Sequence, residues 1–202
     1  MFRAVGVDLA GSVRRITGIC FMDSSLAAEL SRAHYDDEII SFISRHGVTL
    51  AAIDAPLSFP RRGERMRKCD KDLRKAGIRL FSPLLGSMKA LTERGVRLKK
   101  LLKDLGYEVI EVFPTGARSF LGLPPKKAGR RALLSALTSL GIKGIPDNAD
   151  QHMLDAVICA LVGLYYLKGE YVKFGDWREG VIVMPKPEAR SSERRSLGKE
   201  LR

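Results

Sequence analysis

Cysteine is scarce and unpatterned in this chain. Cys20, Cys69 and Cys159 are odd in number, far apart and without a CxxC pair, which excludes a disulfide framework and a zinc ribbon and makes a reducing cytoplasm the expected location. A membrane-spanning run is also missing: the one long apolar stretch, Met153 to Leu167, is too short to cross a bilayer comfortably and contains Asp155, so a core helix and no membrane partner are expected. The first residues lack a basic start, a long apolar region and a small-residue cleavage site, so no export is expected. Acids are in deficit as well. Lys and Arg number 35 against 23 Asp and Glu, a formal net charge of +12, which favours polyanionic partners such as nucleic acid, the alternative being a generally basic, soluble surface.

What is present suits one α/β domain: 202 residues with 45% hydrophobic content can bury one sizeable core. The expected organisation is a single domain over 1–184, carrying a basic helical insertion at about 61–105, followed by a mobile basic tail over 185–202 that has no apolar periodicity. Short and β-branched residues predict a strand at the start of the chain, with Ile16 to Met22 as its hairpin partner and a third strand or a helix over Leu26 to Ala33. Ile39, Ile40, Phe42 and Ile43 at helical spacing behind Asp36 and Asp37 predict a helix from Asp36 to His46. Further helices are expected from about Glu64 to Ala76, within Ser82 to Gly106 with Leu91, Leu98, Leu101, Leu102 and Leu105 on the buried side, over Ala128 to Leu140, and over Asp147 to Lys168. Tyr107 to Phe113 reads as a strand closed by Pro114-Thr115-Gly116, and Tyr171 to Phe174 with Val181 to Met184 as a terminal hairpin.

The chemistry-bearing residues fall at the ends of these elements. Phe2 to Ser12 is an apolar run ending in Asp8, and Val48 to Pro60 repeats the pattern with Asp54. Each acid either meets a cation at a strand end or caps a turn. On adjacent parallel strands both would face the crevice beyond the strand carboxyl ends, where α/β sheets place their sites. Glu111 ends a third strand, as a ligand or a loop-organising acceptor. His152 and Asp155 lie three apart, on one face of the late helix, and a polar pair in an apolar helix is costly unless it meets a wet cleft or a ligand. Crowded carboxylates repel, so removing the Asp155 charge is expected to leave the metal-free protein no less stable. Between Arg61 and Arg79 the density of Arg and Lys without aromatics suggests phosphate-backbone contact through Arg65, Arg67, Lys68, Lys71 and Arg74, or else a solvated face. Lys89, Arg94, Arg97, Lys99, Lys100 and Lys103 extend that positive surface, and Lys126 and Lys127 are open to either reading.

The ordered set VGVDLAGS, AIDAPLSFP, RKCDKDLRKAG, EVFPTGA and HMLDAVICALVG resembles an uncharacterised domain family of predicted ribonuclease H-like nucleases, over nearly the whole chain except the tail. That resemblance implies a ribonuclease H-like fold, a central mixed sheet flanked by helices, with acids on the first strand, the fourth strand and a late helix. Asp8, Asp54 and Asp155 match those positions. His152-x-x-Asp155 also looks like the paired late-helix residues of RuvC-type Holliday junction resolvases. The function implied is a nuclease hydrolysing phosphodiesters of DNA or RNA with Mg²⁺ or Mn²⁺ held by the three acids, His152 and Glu111 assisting. Alternatives are a non-catalytic nucleic-acid-binding protein on the same fold and an actin-like nucleotide-binding ATPase; a homodimer is also left open.

Overall fold

A computed structural model describes residues 1–187 of the chain. Among the described residues seven strands and six α-helices follow one another: β1 (Arg3–Asp8), β2 (Thr17–Asp23), β3 (Ala28–Ala33), α1 (Asp36–Arg45), β4 (Leu50–Asp54), α2 (Lys68–Lys75), α3 (Ser87–Asp104), β5 (Glu108–Val112), α4 (Pro114–Phe120), α5 (Gly129–Ser139), α6 (Gln151–Leu167), β6 (Tyr171–Asp176) and β7 (Gly180–Pro185). The strands form one mixed sheet in the order β3-β2-β1-β4-β5-β7-β6. β1, β4, β5 and β7 run parallel, while β2, β3 and β6 attach as antiparallel hairpin partners. The segment from Leu26 is thus resolved as a strand from Ala28. The tail expected over 185–202 lies, from residue 188 on, outside the described residues.

The strands alternate in the two-residue period that sorts side chains to opposite faces. Ala4, Leu50, Ala52, Ile110 and Val112 join the core under α6, whereas Val5, Val7, Ala51, Ile53 and Val109 join the core that α1 and α3 cover. That sorting decides which acids can meet. Asp8 shares parity with Ala4, and Asp54 with Leu50 and Ala52, so both point to the α6 face. Glu111 shares parity with Val109 and points the other way.

α6 owes its position to glycine. A Cβ on Gly6 would stand 2.1 Å from the Ala156 carbonyl oxygen, and one on Gly18 2.2 Å from that of His152. With no side-chain layer between them, the helix backbone lies directly on β1 and β2. Asp150 caps the helix by accepting from the Met153 amide at 2.9 Å, and Arg32 holds the same carboxylate at 2.8 Å.

α3 is the crossover from β4 to parallel β5, and its buried side differs from the leucine stripe expected. Leu98 and Leu102 are buried, but Leu101 and Leu105 are 39% and 59% exposed, and Thr92, Arg94 and Gly95 complete the inner face. Gly95 lets the helix approach the loop after β4, since a Cβ there would stand 2.8 Å from the Pro56 carbonyl oxygen. Arg94 therefore leaves the positive surface. Its guanidinium binds Asp36 at 2.8 Å and the carbonyls of Ala10 and His34 at 2.7 Å each, tying the loop after β1 to the start of α1.

Candidate active site

β1 and β4 are parallel neighbours, and their last residues, Asp8 and Asp54, are register partners. Neighbouring strands run about 4.8 Å apart, so two carboxylates on one face at this register are forced into each other's field. Asp155 joins them from the second turn of α6, and each of the three lies within electrostatic range of the other two. Burial pushes the Asp54 carboxyl well above the ordinary carboxylate range, and repulsion from Asp8 and Asp155 adds to it. Burial also raises Asp8, against a hydrogen bond with His152 that favours its charged form.

Each acid is compensated in its own way. His152 Nδ1 lies 2.7 Å from Asp8 Oδ2, a contact that raises the imidazole's affinity for its proton. Arg118 NH2 donates to Asp155 Oδ1 at 2.6 Å, with both side chains more than nine-tenths buried. Among the described residues Asp54 has no ion-pair partner, and burial disfavours its charged form. Lys126, in a short 3-10 turn over Lys126–Ala128, adds positive potential at Asp8 and Asp54.

Hard oxygen donors of this kind suit Mg²⁺ or Mn²⁺. Among the described residues, however, no group of three or more His, Cys, Asp or Glu side chains is set as a cage for a metal ion. Asp155 is engaged by Arg118, and Asp8 by His152. The Arg118 pair also reverses one expectation. Crowding alone makes removal of the Asp155 charge harmless in the metal-free protein, but Asp155→Asn would strand a buried guanidinium, and that is destabilising.

Glu111 stands apart from the three acids. Both its oxygens accept from Arg67, NH1 and NH2 at 2.7 Å each, and Oε2 also accepts from the Leu57 amide at 2.8 Å. Arg67 in turn donates to both oxygens of Asp70, at 2.7 and 3.1 Å, and to Ser58. Burial pushes the Glu111 carboxyl up against the opposing pull of Arg67. Burial works against the Arg67 charge too, but the Glu111 carboxylate more than offsets it and holds the guanidinium above its ordinary value. Of the two roles open to Glu111, the ligand one is corrected in favour of the loop-organising one: it anchors a buried ion triad that fastens α2 and the loop after β4 to β5.

Arg67 is corrected with it. It is 1% exposed and spends its donors inside the protein, so it cannot reach a phosphate. Arg65, Lys68, Lys71 and Arg74 do lie on the surface. Lys68 is paired with Asp72 at 2.5 Å, Lys71 with Glu64, and Arg74 caps the Leu80 carbonyl at 2.9 Å. Arg118 is the site residue the sequence reading missed. The Pro114-Thr115-Gly116 run reads as a turn closing a strand, yet Pro at the first position of a helix is itself a start signal, and α4 begins there.

A family model described as "Protein of unknown function (DUF429)" matches residues 6–179. No curated protein matches the chain. Among solved structures, T. thermophilus RuvC in complex with Holliday junction substrate aligns with a TM-score of 0.50 at 14% identity, covering 84% of this chain and 96% of that one. A second Thermus thermophilus RuvC structure aligns at 0.48 and 15% identity, covering 83% and 97%. The fold is ribonuclease H-like: a mixed seven-stranded sheet flanked by helices.

Proposed function

The chain belongs to the DUF429 family of proteins of unknown function, and from that premise we propose that it is a Mg²⁺- or Mn²⁺-dependent nuclease. The observation that carries this reading is the convergence of Asp8, Asp54 and Asp155 on one face at the carboxyl ends of β1 and β4, in a ribonuclease H-like fold with a large positive charge. Asp8, Asp54 and Asp155 would hold the ion. Bound there, it would polarise a phosphodiester and lower the pKa of a water, the chemistry such ions supply to nucleases. His152, with Nδ1 turned to Asp8, keeps Nε2 to take or give a proton. The exposed Arg65, Lys68, Lys71 and Arg74, part of a basic segment over 61–105, attract the polyanion, and Lys126 adds positive charge beside Asp8 and Asp54. The junction substrate of RuvC makes branched DNA the first class to assay, beside single strands, duplexes and RNA.

One observation favours a second reading, a non-catalytic nucleic-acid-binding protein: Arg118 and His152 already engage two of the three acids. Thermal unfolding in chelator and in Mn²⁺ separates the two. Asn at position 54 replaces a carboxyl that the fold disfavours in its charged form, so chelated Asp54→Asn melts with or above chelated wild type. Mn²⁺ at a hundredfold excess over Kd stabilises wild type by about 2.7 kcal/mol and Asp54→Asn by far less. Equal Mn²⁺ shifts in the two proteins would remove Asp54 from the metal site, and no shift in either would leave the binding reading.

Affinity for nucleic acid is expected to fall with salt through counterion release. Neutralising Arg65, Lys68, Lys71 and Arg74 flattens the slope of log affinity against log salt by roughly 0.7 to 0.9 for each genuine phosphate contact. A slope unchanged after all four replacements would show the segment to be a solvated face.

A further inference from the structure

The core that α1 and α3 cover takes residues from β1, β4 and β5 but none from β6 or β7. Past β5, that side of the sheet has no buried layer against it, and a cavity of about 290 Å³ lies there. α3 lines it with Lys99 and Lys103, β6 with Lys173, and the turn between β6 and β7 with Trp177. None of these groups belongs to the carboxylate cluster.

The positive charge in the cavity is uncompensated. Among the described residues the Lys103 and Lys173 side chains have no hydrogen-bond or ion-pair partner, and Lys99 Nζ has only the Leu57 carbonyl, at 3.2 Å. The carboxylate in the lining, Glu111, is spent on Arg67 and the Leu57 amide. Burial, and after it the Lys103 charge, lower the affinity of Lys99 for its proton, and an anion seated between the two lysines would relieve their repulsion.

Trp177 is 83% exposed, the most exposed large hydrophobic side chain among the described residues. Its turn is nevertheless well tied. Asp176 accepts from the amides of Arg178 and Glu179 at 2.9 and 3.2 Å, and Glu179 accepts from those of Lys68 and Arg61 at 2.9 and 3.2 Å, which fastens the hairpin tip to the segment before α2. The Arg178 guanidinium lies over the indole, 5.4 Å from its centroid, so the opposite face is left for a flat partner. A fixed aromatic ring beside unpaired cations suits an unpaired strand, the ring stacking a base while the cations follow the backbone. A duplex keeps its bases stacked inside and offers Trp177 nothing comparable. The cavity also lies near the acids along the chain: Leu57, in its lining, is three residues beyond Asp54, a reach of about 11 Å at most.

We propose that this cavity is a subsite for a single-stranded stretch of nucleic acid, with one base stacked on Trp177 and the adjoining phosphate held by Lys99, Lys103 and Lys173. It rests on the nucleic-acid reading above and deepens it: the protein selects substrates with unpaired nucleotides near the point of attack.

The chain has a single tryptophan, so its fluorescence reports on this cavity alone. The full-length protein is titrated in chelator, which keeps metal-dependent cleavage out of the measurement, with a short oligothymidylate, a blunt duplex of equal length and thymidine 5′-monophosphate. The oligothymidylate is expected to quench Trp177, and the duplex to leave it unquenched. Anisotropy of a labelled oligothymidylate then measures the variants. Trp177→Ala is expected to bind it about tenfold more weakly or worse, and Lys103→Ala with Lys173→Ala to flatten the salt slope by about 0.7 for each contact. All three side chains are exposed, so these replacements spare the fold. Binding without quenching, undiminished affinity in Trp177→Ala, or equal quenching by the duplex would overturn the subsite and leave the metal-dependent reading standing. A monophosphate bound as tightly as the oligonucleotide would also overturn it, by making the cavity a mononucleotide pocket. No binding of any nucleic acid at low salt would overturn both.

Discussion

Asp8→Ala, Asp54→Ala and Asp155→Ala are each expected to lower Mn²⁺-dependent phosphodiester hydrolysis by about a thousandfold or more, and the double and triple variants to lose little beyond that. The non-additivity follows from shared work: carboxylates that hold one ion together act as a unit, and once the ion is lost the remaining acids have nothing left to contribute. The three variants differ in another respect. Asp54→Ala removes a carboxyl that burial already disfavours in its charged form, whereas Asp155→Ala orphans the buried Arg118. Activity is therefore expected to fall alike in all three while chelated stability falls mainly in Asp155→Ala. The measurement is initial rates on a panel of nucleic acids, with thermal unfolding in chelator for each protein. A single variant with undiminished rate would take that residue out of the site.

The largest effect on stability is expected at Arg67. Arg67→Met leaves Glu111 and Asp70 facing each other in the interior without their cation, and breaking a buried ion network by removing one partner costs about 3–5 kcal/mol. For a chain of this size that lowers the melting temperature by roughly 10 °C. Replacing the whole triad, Arg67→Met with Glu111→Leu and Asp70→Leu, removes the stranded charges and is expected to recover a large part of the loss. Denaturant unfolding measures both. Arg67→Met within about 0.5 kcal/mol of wild type would mean that the triad contributes nothing, and a flattened salt dependence in that variant would return Arg67 to the phosphate-binding set.

The convergence of the three acids was readable for a definite reason. Asp8 and Asp54 each terminate an apolar run where a charge has no local use, and Asp155 interrupts the most apolar helix of the chain. Such residues conflict with local propensity, and conflicts of that kind concentrate at functional sites. The partners were harder because they depend on register. Whether Glu111 faces Asp54 or turns away is settled by strand parity against the sheet, and a strand written as YEVIEVF does not say which of its faces looks at α6. Arg67 was hidden by composition: in a segment crowded with exposed basic residues, one buried arginine carries no mark of its own. Arg118 was hidden by a turn-like Pro-Thr-Gly that starts a helix. The Leu101 and Leu105 error has the same origin as the Glu111 one, since the inner face of α3 is set by the close approach at Gly95 and by Arg94, not by the leucine stripe.

His152 and Asp8 meet across 144 positions of sequence. At about 5–20 residues per second of synthesis, the first strand waits many seconds for α6, and until then Asp8 has no histidine beside it. A ribosome-bound chain is thus a basic polypeptide surrounded by RNA, yet without the late helix it has only part of the cluster. Long-range closure acts here as a timing device. Cutting ability, in the reading given above, arrives only after nearly the whole protein has emerged, and no fragment ending before α6 is expected to degrade the template that encodes it or the ribosome that makes it.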